Sequence, residues 1–133
     1  MPDGLGVLWD RLNAACAPAV SALAGWRWWD EPPDATGVPA GWAELSSGAR
    51  WLEDANLYSV TFSVVGAVDH RPSKPTTAQE VSFVDAVLAA VLPSPVNALN
   101  PVEVSWQPGE VEIGSMTHRA MLVSVSLVYS MCY

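Results

Sequence analysis

The sequence is poor in basic residues and in charge of either sign. Lys74 is the one lysine among 133 residues, and six basic side chains stand against fourteen acidic ones, for a net charge of −8. Phosphate backbones repel such a chain, so the composition argues against nucleic-acid readout. An acidic surface along which DNA slides without sticking is compatible with it.

Cysteines and long apolar runs are scarce as well. Cys16 and Cys132 lie far apart without histidines at metal spacing, so we expect two reduced thiols and neither a zinc site nor a disulfide framework. No apolar run reaches the roughly 18 residues of a membrane span, and Asp10 and Arg11 interrupt the first. The segment 1–4 lacks the basic start of a signal peptide, so we expect a cytosolic protein without membrane contact.

The length predicts one domain spanning residues 1–133, because chains of this size bury a single core. Half of the residues are apolar and 15% are charged. An average soluble domain has about 25% charged residues. A surface so lean in charge is typical of one that is covered by assembly.

Two segments have the spacing of amphipathic helices. Apolar residues recur at steps of three and four over 5–24, where Pro18 should kink or restart the helix and Gly25 can close it. The second helix is predicted over 77–92, and Thr77 and Glu80 have the spacing of a capping box at its start.

Strand patterns fill much of the remaining chain. Alternation over 57–67 and from Arg119 to the end predicts two long strands, and shorter ones are predicted over 26–29, 41–45, 102–106 and 110–113. Residues 32–40 and 46–49 are expected to be loop, and Pro108 and Gly109 to break the fourth strand. The order predicts an α+β fold, with a mostly antiparallel sheet and two helices on one face.

No catalytic constellation appears, so the sequence predicts no enzyme, cofactor or metal site. His70 beside Asp69 fits a solvated turn, and His118 close to Ser115 lacks any motif of a nucleophilic triad. Glu110 and Glu112 point the same way on a strand. Such a pair could act as catalytic carboxylates or cation ligands, but alternation on the exposed face of a short strand usually reflects solvation alone. The same two residues are the candidates for acids that face a channel.

Tryptophan is the unusual residue type, because five of the seven lie between Gly25 and Asn56. A core beneath loops explains them, and so does a subunit interface, where tryptophan is enriched and lysine is depleted. A sugar-binding platform would need more amide side chains nearby. The candidate interface residues are Trp28, Trp29, Trp42, Trp51 and Tyr129.

In order and spacing of these pieces, the chain resembles the tail terminator proteins of long-tailed bacteriophages. The resemblance covers most of the chain. Its first half is carried by a helix that ends in Gly25, the aromatic and acidic-proline stretch 26–33, and the loop and short strand 38–42. Its second half is carried by the strand 58–65, the helix 77–92, the strands 102–106 and 110–114, and the long last strand. Individual residues are only similar, and the Trp-rich middle departs from the family pattern.

The resemblance implies a structural role in the virion. Such a protein is assembled in the host cytoplasm and forms a ring with copies of itself, typically a hexamer, at the neck. The ring caps the tail tube protein, ends tube polymerisation and joins the head connector, while DNA only passes through. The long last strand is then expected to complete a sheet between subunits or to dock on the tube.

Two other functions stay open. Another neck protein, such as a head-closure or connector-joining protein, would share size and location but bind on the portal side. A small-molecule-binding α+β domain would be a monomer or dimer with a pocket.

Overall fold

The computed structural model describes residues 4–31, 39–52, 57–68, 76–92, 99 and 101–130. These residues form two helices and one five-stranded sheet, which confirms the predicted α+β class. The elements are α1 (Leu5–Ser21), β1 (Arg27–Trp28), β2 (Ala40–Leu52), β3 (Leu57–Val68), α2 (Thr76–Val91), β4 (Glu103–Ile113) and β5 (Met116–Ser130).

The strand order across the sheet is β1-β2-β3-β5-β4, and every pairing is antiparallel except the short parallel one between β1 and β2. The last strand, β5, lies inside the sheet. It pairs with β3 on one side and with β4 on the other. Over residues 119–126 both sides of β5 are therefore paired within the subunit, so this stretch cannot complete a sheet between subunits as the sequence led us to expect.

Two strands run through segments that the sequence assigned otherwise. β2 continues through 46–49, the predicted loop, because pairing with β3 extends it and a register shift between Leu45 and Ser47 absorbs the irregularity. β4 continues through Pro108 and Gly109, the predicted break. A proline is tolerated there because β4 is an edge strand, where the missing N–H can face away from the ladder.

The observed helices also differ from the predicted ones at their ends. α1 continues past Pro18 and ends at Ser21, and Gly25 has φ +83° in the turn to β1. α2 agrees with its prediction to one residue at each end. It begins at Thr76, so Thr77 is already helical and the capping box is wrong. Within the described ranges, neither helix has the length and apolar content to cross a membrane.

The main core lies between the helices and one face of the sheet. Phe83 of α2 is fully buried and stacks on Trp26 with ring centroids 5.0 Å apart, and Trp9 of α1 reaches Phe62 of β3. Cys16 lies in this core with no exposed surface, and burial raises the pKa of its thiol to about 12. The thiol is therefore protonated. Cys16 is a free, packed cysteine, as predicted, and Cys132 lies outside the described residues.

The opposite face of the sheet has two parts. One is a second, smaller cluster of buried apolar residues, namely Ala40, Trp42, Val65, Ala67, Ile113 and Ala120. The other consists of short hydroxyl side chains that strand alternation places on this face, and in it Thr61 Oγ1 lies 2.8 Å from Ser126 Oγ. The helices thus cover one face only, as predicted.

Candidate subunit interface

The tryptophans that the sequence suggested for an interface differ in how deeply the fold buries them. Trp42 is 2% exposed, and its Nε1 donates a hydrogen bond to Glu44 Oε1 at 2.8 Å, so this side chain packs inside the subunit. Trp28 and Trp29 are half-buried, and the guanidinium of Arg27 lies 4.2 Å from the ring centroid of Trp29. The core explanation therefore holds for Trp42, while Trp28 and Trp29 keep partly exposed surface.

The remaining two candidates lie towards one end of the sheet. Tyr129 of β5 is half-buried and stacks on Tyr58 of β3 with ring centroids 5.6 Å apart. Trp51 belongs to β2, and its side chain is outside the described part of the chain. An interface role for this pair stays a prediction.

The most exposed tryptophan side chain among the described residues was not on the list. Trp106 of β4 is 53% exposed. The alternation over 102–106 identified its strand, but only the strand order shows that β4 lies at an edge. Other large apolar side chains with more than half of their surface exposed are Leu45, Val81, Leu92, Val102 and Met116.

Trp106 forms one wall of an apolar groove of about 440 Å³ between α2 and the β4–β5 pair. The groove exists because α2 packs on β3 and β5, whereas no helix of the described chain packs closely over β4. Its lining is Thr77, Glu80, Val81, Val84, Asp85, Leu88, Trp106 and Met121. The apolar side chains among these are the kind that a protein partner covers.

An ion pair lies at the border of this groove. Glu80 is 5% exposed, and its Oε1 lies 2.8 Å from Nε of Arg119, whose side chain is 45% exposed. The Nε–H does not meet hydrogen-bond geometry with this oxygen, so the contact is electrostatic. The sequence suggested Glu80 for a helix cap, and the fold uses it to hold a β5 side chain against α2.

In the described part of the chain, the sheet has two edges that no further strand covers, and they differ in charge. β4 carries Glu103, Glu110 and Glu112 and no basic residue. At the other edge, β1 pairs with Ala40 and Gly41, and no other described strand pairs with the outer side of β2 from residue 42 onward. Among the side chains that the structure describes, this edge carries Arg27 and a single acid, Glu44.

The two candidate channel acids are exposed and lie on the same side of β4, as alternation requires. In the ladder, Glu110 is opposite Arg119 and Glu112 is opposite Thr117 of β5. Both lie beyond Pro108, in the end of the β4–β5 hairpin. That they face a channel stays a prediction.

The other chemical candidates gain no support from the geometry. His118 is half-buried on β5 opposite Val111, and Ser115 lies in the turn before that strand. His70 lies outside the described residues. In the described ranges, no group of three or more histidine, cysteine, aspartate and glutamate side chains is placed to hold a metal ion.

Comparisons with known proteins give no family assignment. No protein-family model matches the chain, and no curated protein matches its sequence. The resemblance to tail terminators therefore stays an expectation to be tested.

Proposed function

We propose that this chain is a phage tail terminator, which forms a ring on the end of the tail tube, stops tube growth and joins the tail to the head connector. The observation that carries the proposal is the pair of unlike open edges, with the apolar groove beside one of them. A closed ring needs a head-to-tail interface in which two different patches of each subunit meet.

The negative net charge of the chain supports the same role. Fourteen acids against six bases leave little attraction for a genome that passes through the ring. The apolar groove is compatible with the alternative of a small-molecule site, but its convergent polar groups are few, and the carboxylate of Glu80 is already paired with Arg119. We therefore favour an assembly surface.

Tube capping is the direct test of the proposal. Purified chain is added to polymerising tail tube protein from the same phage, and tube lengths are measured by negative-stain electron microscopy. We expect the mean length to fall as chain is added, with a ring visible at one tube end, because a capped end offers no further copy of the growing edge.

An unrelated acidic protein of similar size is the control for nonspecific effects. An unchanged length distribution at stoichiometric amounts would contradict the terminator function. Binding to the connector or portal without any effect on tubes would favour the head-closure alternative, so the same preparation is tested against both partners.

We further propose that Glu110 and Glu112 face the channel through which the genome passes. Replacing both with lysine is expected to leave particles assembled but to slow genome release, because two bases in each subunit would attract the phosphates that the acids repel. Release is followed by DNA-dye fluorescence after receptor triggering. Glu31→Lys, at an exposed site before β2, is the matched control, and equal release rates in all three phages would refute the assignment.

A further inference from the structure

The strand register places residues of the two edge strands, β2 and β4, in the same rows across the sheet. One row across the four long strands reads Leu45, Phe62, Val125, Val104, and a neighbouring row reads Ser47, Thr61, Ser126, Glu103. Leu45 is 59% exposed, and Trp106 stands two residues from Val104 on the same side of β4. Rows that lie side by side therefore end in apolar side chains at both edges of the sheet.

From this alignment we infer that the β4 edge of one copy pairs with the β2 edge of the next copy, so that one sheet continues through the ring. The inference rests on the ring-forming function proposed above. Strand directions agree with it, because β2 and β4 run in opposite senses within one sheet and a rotated neighbour would place them antiparallel. Leu45 of the neighbour then lies beside Val104 and Trp106.

Charge supports this direction of pairing over a pairing of like edges. Two β4 edges paired over residues 103–107 would bring together two copies of Glu103 and no base. In the head-to-tail arrangement, Glu103 instead meets the β2 edge in the row of the uncharged Ser47, so the two acids are kept apart.

The helix layer adds a second contact. Within one copy, α1 lies at the β1–β2 side of the sheet, where a Cβ built on Gly41 would be 3.1 Å from Cγ1 of Val20. A copy that continues the sheet past β4 brings its own α1 over that strand, next to α2. The neighbouring helix would then cover Trp106 and fill the apolar groove that the subunit leaves open.

Pro108 limits the paired segment. Proline lacks an N–H, and in an edge strand that missing donor faces outward. The outer edge of β4 is therefore regular only before Pro108, over residues 103–107, and the rest of the hairpin is left free. This division leaves Glu110, Glu112 and the exposed Met116 outside the interface.

Two blocking variants test the pairing. Leu45→Lys puts a charge on the β2 edge, and Trp106→Lys puts one on the β4 edge, where lysine is a common device against strand association. Sedimentation velocity of each purified variant, with circular dichroism to establish folding, should show monomer where the wild-type chain forms a larger assembly. Met116→Lys, on the free hairpin end, is the control and should assemble like wild type.

Mixing the two blocked variants gives the sharper result. A one-to-one mixture should form a dimer and nothing larger, because the intact β4 edge of the Leu45→Lys chain can pair with the intact β2 edge of the Trp106→Lys chain. A mixture that stays monomeric, a blocked variant that still assembles, or a wild-type chain that is monomeric at high concentration and with tube protein would each overturn the inference.

The two proposals can fail separately. Capping of tubes that is unaffected by Leu45→Lys and Trp106→Lys would leave the terminator function standing and remove the edge pairing. Assembly that follows the blocking pattern, without any effect on tube length, would do the opposite.

Discussion

Gly66→Ala is expected to destabilise the subunit by about 1–3 kcal/mol, the usual cost of overpacking a core. A Cβ on Gly66 would lie 2.6 Å from Cδ2 of Phe83 and 2.7 Å from two further atoms of that ring. Phe83 has no exposed surface and stacks on Trp26. The ring cannot retreat without disturbing that stack, so either α2 moves away from β3 or the ring leaves its position.

The measurement is the free energy of unfolding in urea, with the slope compared to that of wild type to check two-state behaviour. Gly48→Ala is the matched control in β2, because its Cβ would meet the carbonyl oxygen of Ser59 at 3.4 Å, an ordinary contact. We expect it to change stability by less than about 0.5 kcal/mol.

A double variant locates the cause. Gly66→Ala combined with Phe83→Leu should be less destabilised than the sum of the single changes, because the smaller side chain leaves room for the new methyl group. Additive effects, or a Gly66→Ala protein as stable as wild type, would mean that Phe83 does not rest on the backbone of β3.

Strong periodicity explains what could be predicted of the fold. The apolar spacing of α2 and the alternation of β3 each specify an element without outside help, and both were predicted to within one residue at their ends. The extent of β2 was not predictable, because 46–49 has no alternation and is a strand only through its pairing with β3. The local sequence pattern does not predict a strand where only the pairing with a neighbouring strand makes the segment extended.

The candidate site was harder to predict for the same reason. Trp42 and Trp106 both belong to predicted strands, yet one is 2% exposed and the other 53%. The difference comes from the strand order, which puts β4 at an edge beyond the reach of α2. The sequence identifies the two strands, but not which strand lies beside which.

The ion pair beside the groove leads to the second large effect. Arg119→Met should destabilise the subunit by about 2 kcal/mol, because it leaves the Glu80 carboxylate buried without its cation. Removal of one partner from a fully buried pair costs about 3–5 kcal/mol, and we expect less here because water reaches the half-exposed arginine.

The double variant Glu80→Leu, Arg119→Met separates the contribution of the ion pair from the cost of leaving one of its charges unpaired. Replacing both charges with apolar side chains should bring stability back to within about 1 kcal/mol of wild type, since no unpaired charge is left. The four proteins form a double-mutant cycle, measured by urea unfolding. Arg27→Met, which removes an exposed guanidinium from the ring of Trp29, is the control and should cost less than about 1 kcal/mol.

The same cycle bears on assembly, because Glu80 lines the groove that we expect a neighbouring copy to cover. The double variant keeps the groove apolar and the subunit stable, so it should form the same assembly as wild type in sedimentation. Arg119→Met alone should lose stability in the monomer and assemble less at a given concentration, because fewer folded subunits are available. An Arg119→Met effect no larger than that of Arg27→Met, with no coupling to Glu80, would show that the pair does not hold β5 against α2.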